Sequence, residues 1–223
     1  MAPVILDLIP FRIDNIELLR QLRLKESSEY AEQVLFLARE AEKLCRPKAM
    51  YCAASIEEIG DNYIKAAGVT FTSTILRTNL EHVDRIFPYV ATCGREIETW
   101  AATLSDSFDS YVGDVIQNMA RLSACGALFN QIDKQYQLHN PSNMNPGSLE
   151  AWPLTEQQQL FRLFDDYQQQ IGVELSKSLL MVPVKTVSGI RFAASEHFAN
   201  CMLCARQSCP SRKVPYNKAV SVH

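Results

Sequence analysis

Residues 28–45 carry Tyr30, Val34, Leu37, Ala38, Ala41 and Leu44 at intervals of three and four, which predicts an amphipathic helix that Arg46-Pro47 stops. Residues 49–55 are apolar without helical spacing and predict a short buried strand, followed by a polar connection over 57–61. Val69-Thr70-Phe71-Thr72 reads as another strand, after which Ser73 or Thr74 caps a helix running to about residue 85. The segment 86–94 is rich in strand formers but holds Pro88, which predicts a strand start or a sheet edge there. Residues 96–104 read as helical. The longest helical pattern spans 107–137, with Tyr111, Val112, Val115, Ile116, Met119, Leu122 and Ser123 on one side. Small residues Ala120, Ala124, Gly126 and Ala127 predict that another element approaches this helix closely.

Residues 139–153 hold Pro141, Pro146, Gly147 and Pro153 among Asn and Ser, and predict an irregular loop able to separate two lobes. Beyond it, Thr155 and Gln158 make a capping box, Leu160, Phe164, Tyr167 and Ile171 form the next stripe, and Gly172 is the stop. Residues 173–176, 179–182 and 186–192 read as short strands. Helix and strand are mixed without regular βαβ alternation, so the class is α+β. The apolar stripes are read as packing surfaces rather than cofactor boxes.

Composition narrows the functional classes. The 223 residues are 47% apolar and 21% charged, a globular balance with enough chain for a core. Lys plus Arg (22) against Asp plus Glu (25) leaves −3, so no global positive field attracts nucleic acid or an anionic membrane. The apolar stretch Ser178-Leu179-Leu180-Met181-Val182-Pro183-Val184 is Pro-broken and far short of the ~20 residues of a membrane helix. Met1-Ala2-Pro3-Val4-Ile5-Leu6-Asp7 lacks the basic start of a signal peptide, and a cytoplasmic location is expected.

The seven cysteines divide unevenly: Cys45, Cys52, Cys93 and Cys125 are scattered, whereas Cys201, Cys204 and Cys209 fall together near the C-terminus. Two thiolates three residues apart can grip one metal while a third closes from the far side of a turn. Cys93, His197 or an exogenous ligand would fill a fourth position, and spacing leaves iron–sulfur and zinc open. Arg191, Arg206, Arg212 and Lys213 would offset the negative charge of such a centre. No Gly-x-Ser-x-Gly, P-loop or dinucleotide fingerprint is present, and His82, His139, His197 and His223 form no i, i+4 ligand pair. A couple of Cys93 with His82 or His139 is the remaining nucleophile arrangement, and acidic pairs such as Glu57-Glu58 and Asp165-Asp166 read as solvated faces.

One stretch goes further. Asn145-Pro146-Gly147, a capped helix, Ile171-Gly172-Val173-Glu174-Leu175-Ser176-Lys177-Ser178, then Met181-Val182-Pro183 and Val187-Ser188-Gly189 follow in an order that resembles the reductive-activation domain of cobalamin-dependent methionine synthase. With Ala91-Thr92-Cys93-Gly94 ahead of a long helix, the resemblance spans roughly residues 56–192, and it is strongest to short stand-alone relatives with a Cys-rich tail. It implies a single C-shaped α+β domain with a bent mixed or antiparallel sheet and flanking helices. It also implies S-adenosylmethionine binding and docking on a cobalamin partner whose cob(II)alamin is reduced and remethylated. The family's ligand loop carries an Arg four residues before its Gly and a Tyr directly after it. Asn143 and Ser148 stand there, while Pro146 and Gly147 match, so the guanidinium fork and the aromatic face are missing. Backbone around Gly147 could still approach a ligand, and Arg191 could supply charge from elsewhere.

The expected organisation is an N-terminal segment (1–27), an activation-domain-like body (28–195) and a Cys-rich tail (196–223). The expected function is that of an accessory protein for a corrinoid methyltransferase, with a Cys201/Cys204/Cys209 iron–sulfur centre of the [4Fe-4S] kind, whose fourth ligand the resemblance suggests is Cys93. Two alternatives stand beside it: a non-redox docking module with structural zinc, and an S-adenosylmethionine-binding domain with an altered loop. At this length no complete methionine synthase is expected, because the homocysteine, folate and cobalamin modules have no room, and no catalytic acid or base is assigned.

Overall fold

The computed structural model describes residues 2–195, 198–204, 206, 208, 209, 212 and 214–217. In chain order, β1 (Val4–Leu6) and α1 (Asn15–Gln21) lead to α2 (Ala31–Leu44), whose Val34, Leu37, Ala38 and Ala41 are buried as their spacing requires. The strands β2 (Lys48–Tyr51), β3 (Ala54–Ile59), β4 (Tyr63–Ala66) and β5 (Val69–Thr72) follow, then α3 (Thr74–Asn79), capped by the Ser73 hydroxyl accepting from Leu76 N at 3.1 Å. Next come β6 (Arg85–Thr92), α4 (Arg95–Ala101) and α5 (Ser107–Tyr136), the last begun by Asp106, which accepts from Phe108 N and Asp109 N. The chain continues through β7 (Pro141–Met144), α6 (Gln157–Arg162), β8 (Glu174–Leu175), β9 (Met181–Val182) and β10 (Thr186–Ala193).

Every strand pairing among these elements is antiparallel, and β6 is the axis of the sheet. On one side it pairs first with β2 and then with β3, which continue to β1 and to β4-β5; on the other it pairs with β10, which carries β7 at the edge. The sheet curls, and helices cover it, giving the mixed α+β class expected. Alternation along β6 divides two cores: Ile86 and Val90 join Phe71, Trp152, Phe164 and Phe192, whereas Phe87, Tyr89 and Ala91 pack under α5 against Ala124, Leu128 and Ile132. The N-terminal half of α5 leaves the sheet and builds a helical core with α1, α2 and α4.

Several expectations are corrected by these pairings. Pro88 is central, not at an edge; it lies where β6 passes from β2 to β3, and there its carbonyl accepts from Cys52 N, so the missing N–H falls at the change of partner. Glu57 and Glu58 lie in β3 rather than in a connection, because β4 pairs with this segment regardless of side-chain polarity: Glu58 is opposite Lys65, and Glu57 falls at a register shift. The segment 139–153 is not wholly irregular, since β10 recruits 141–144 as β7. The helix after Ser73 ends at Asn79. Thr155 makes no capping bond, and the stripe from Leu160 to Ile171 is broken by Asp165 and Asp166, both left-handed at φ 46° and 65°. Close approach to α5 occurs at Gly113, Ala120 and Ala124, while Gly126 faces open space.

Candidate functional site

The loop after β7 is anchored by Asn145. Its Nδ2 donates to the Tyr89 hydroxyl at 2.8 Å and to the Ser188 carbonyl at 2.7 Å, so this side chain crosses β10. Gly189 exists for that crossing: a Cβ there would stand 2.4 Å from the Met144 carbonyl oxygen and 2.5 Å from Asn145 Nδ2. Burial pushes the Tyr89 phenol well above the usual tyrosine range, which keeps it neutral as a partner for the amide. Past Asn145, Pro146 is buried, Gly147 turns the chain at φ 78°, and its N–H donates to the carbonyl of Trp152, a residue fixed in the core at 1% exposure.

Asn145 Oδ1 holds the C-terminal segment. It accepts from Asn143 Nδ2 at 3.3 Å and from Asn200 Nδ2 at 3.2 Å. Phe198 enters the core beside Trp152, its N–H donates to the Ser142 hydroxyl at 2.9 Å, and Ala199 bridges Asn143 as a parallel extension of the sheet edge. A short 3-10 turn (Asn200–Met202) then delivers the cysteines. Cys201, Cys204 and Cys209 line a cavity of ≈ 550 Å³ together with Asn143, Asn145, Ser148, Ala199, Asn200 and Arg206.

The structure therefore brings the tail cysteines to the loop positions Asn143 and Ser148, which are far from them in sequence. It leaves three other candidates elsewhere. Gly147 is exposed beside Leu154 and, like Pro146, is not part of the cavity wall. Arg191 is 6% exposed and committed to α5: its guanidinium donates to both carboxylate oxygens of Asp133, at 2.6 and 2.5 Å, and lies 4.3 Å from the Phe129 ring centroid. Cys93 is fully buried in the helical core, where its thiol faces the Gly94 carbonyl and burial, then Glu98, pushes it up to about 12. It follows the end of β6 that pairs with Thr186, five residues along β10 from the Asn143 partner Arg191, or roughly 17 Å at strand rise. That placement leaves Cys93, suggested as the fourth ligand, outside the cavity that the tail cysteines line. His197 and Lys213 lie outside the described residues, as does His223. His82 lines a separate cavity with Asp84 and Arg85, so no Cys93–His82 couple forms.

Among the described residues no three His, Cys, Asp or Glu side chains already stand in metal-holding positions. The donor set nevertheless suits a thiophilic metal: three half-buried sulfurs share one cavity whose wall includes Arg206 and no carboxylate. Sequence reasoning passed over Asn145 and Asn200 as functional residues. The signals that could have found them are the Asn before a Pro-Gly turn and the unexplained Gly189 in a strand.

Comparison with known proteins agrees with the geometry. Residues 127–207 match the family model described as vitamin B12 dependent methionine synthase, activation domain. The match bears out the resemblance and includes the loop, β10 and the first two tail cysteines. Among solved structures, the MetH reactivation domain bound to AdoHcy superposes with a TM-score of 0.64 at 15% identity, covering 90% of this chain and 81% of that one. The chain thus has the fold of that domain. No curated protein matches. No helix among the described residues is long and apolar enough to cross a membrane.

Proposed function

We propose that the protein is an accessory module for a cobalamin-dependent methyltransferase of the methionine synthase type, supporting the return of cob(II)alamin to its active cycle. The observation that carries this reading is the convergence of the Asn143–Ser148 loop and three cysteines on one cavity, in a chain whose fold is that of a methionine synthase reactivation domain. Bound to Cys201, Cys204 and Cys209, an iron–sulfur cluster would supply one low-potential electron to Co(II), whereas zinc would supply structure alone. The chain's own residues do the rest. Asn145 and Gly189 fix the loop, Asn200 and Ala199 dock the cysteine turn on it, and Arg206 offsets the thiolate charge.

Anaerobic purification followed by metal analysis and a visible spectrum before and after dithionite tests it. Iron with sulfide and a band that bleaches, then reduction of cob(II)alamin added with a corrinoid protein, is the expected result. Cys204→Ser should lose the metal. Zinc in place of iron would leave a docking module without electron transfer.

A second reading is an S-adenosyl ligand in the same cavity, favoured by its amide-lined wall of Asn143, Asn145 and Asn200 and by the AdoHcy bound in the related structure. Against it stand Asn143 and Ser148 at the Arg and Tyr positions, and Arg191, which is paired with Asp133. A thermal shift with S-adenosylmethionine separates the two, because a ligand that binds only the folded state raises its stability.

A further inference from the structure

The stretch 198–217 contains no Asp or Glu, yet it holds Arg206, Arg212 and Lys213 beside three cysteines. Arg212 is the centre of its fold. Nη1 donates to the Cys201 carbonyl at 2.6 Å and to the Val214 carbonyl at 3.2 Å, while Nη2 donates to the carbonyls of Cys204 and Arg206, both at 2.8 Å. One guanidinium thus gathers the main chain at both ends of the Cys201–Cys204 turn and the residue that lines the cavity next to them. The thiols of the same two residues, with that of Cys209, line the cavity. No carboxylate among the described residues lies within 4.0 Å of Arg212, and its Nε is buried without a partner. A half-buried cation satisfied only by carbonyl dipoles calls for an anion nearby. Three thiolates on a divalent metal carry a net negative charge and would provide it.

We propose that Arg212 is the positioning residue of a three-thiolate metal site, preforming the Cys201–Cys204 turn and, with Arg206, balancing the charge of the occupied centre. This rests on the metal reading given above and deepens it. The role needs the planar fork, since a lysine carries the charge but has one nitrogen and cannot hold four carbonyls in a fixed arrangement.

The test is titration of the reduced, metal-free full chain with Co²⁺ under anaerobic conditions, reading the sulfur-to-cobalt charge-transfer absorption, followed by displacement with Zn²⁺. Arg212→Gln is expected to weaken Co²⁺ binding about 10–100-fold, the usual cost of losing an outer contact that orients metal ligands. Arg212→Lys should recover only part of that loss. Heat unfolding of each metal-free variant serves as the control, and the main transition should stay in place. Wild-type titration with Arg212→Gln indistinguishable from it would overturn the positioning role while leaving the metal site standing. A parallel collapse of the main unfolding transition would overturn it too, by making the effect structural. Absence of any charge-transfer band in the wild type would sink the metal reading itself, and this inference with it.

Discussion

The two sets of cysteines are the same chemical group placed in opposite environments. Cys45, Cys52 and Cys93 lie at 4%, 3% and 0% exposure among apolar neighbours, and burial is the first cause that pushes each thiol up to about 12. Cys93 also stands close enough to Cys45 to disfavour its ionisation. Cys201, Cys204 and Cys209 are half-exposed, line a cavity with Arg206, and follow main chain gathered by Arg212. Desolvation makes the first set small hydrophobes, whereas the second stays accessible at a cavity wall. Counting cysteines therefore says little about chemistry until burial has sorted them.

The largest effect that can break this contrast is alkylation. At pH 8 a thiol near 12 has a thiolate fraction about 10³-fold below that of an ordinary cysteine. Iodoacetamide on the folded, metal-free chain should therefore label Cys201, Cys204 and Cys209 while Cys45, Cys52 and Cys93 stay unmodified, as read by peptide mass mapping. Labelling of Cys93 at a rate like that of Cys204 would erase the distinction.

Stability against pH sharpens it. A thiol raised in the folded state keeps its proton there while the unfolded chain loses its own, so the stabilisation is complete below about pH 9 and is lost as pH rises toward 12. Each of the three buried thiols should cost about 1.4 kcal/mol per pH unit within that window. Urea unfolding at pH 8 and pH 10 checks it, and Cys93→Ala should make the slope shallower.

Smaller still is the joint between the two regions. Gly189→Ala sets a methyl against the Met144 carbonyl and the Asn145 amide, and should cost about 1–3 kcal/mol, with the tail becoming the first site of limited proteolysis. Asn200→Ala removes one bond to Asn145 and should cost about 1 kcal/mol, seen as faster backbone exchange in the tail while the core strands keep their protection.

The origin of each element explains how much of it was legible. The strand β5, over Val69–Thr72, and the helices α2 and α5 were readable because their apolar spacing is a local property that packing merely uses. The strand β7 was not, since Pro141-Ser142-Asn143-Met144 has turn composition and becomes a strand only because β10 offers it hydrogen-bond partners. Pro88 misled for a similar reason. Its tolerance at the centre depends on β2 giving way to β3 opposite it, a feature of two other segments.

At the candidate site the same division holds. The cysteine spacing and the Asn-Pro-Gly turn are written in the sequence, and so is the acid-free, Arg-rich tail around them. What only the tertiary structure decided is which residues meet. It sent Arg191 to Asp133 and Cys93 into the helical core, and it folded the tail across the edge strand so that Cys201, Cys204 and Cys209 face Asn143 and Ser148. Residue type and short-range spacing determine what chemistry a side chain can offer. Which side chains share a cavity is set by sheet register and by the entry of Phe198 into the core, contacts between segments whose separation along the chain carries no local signal.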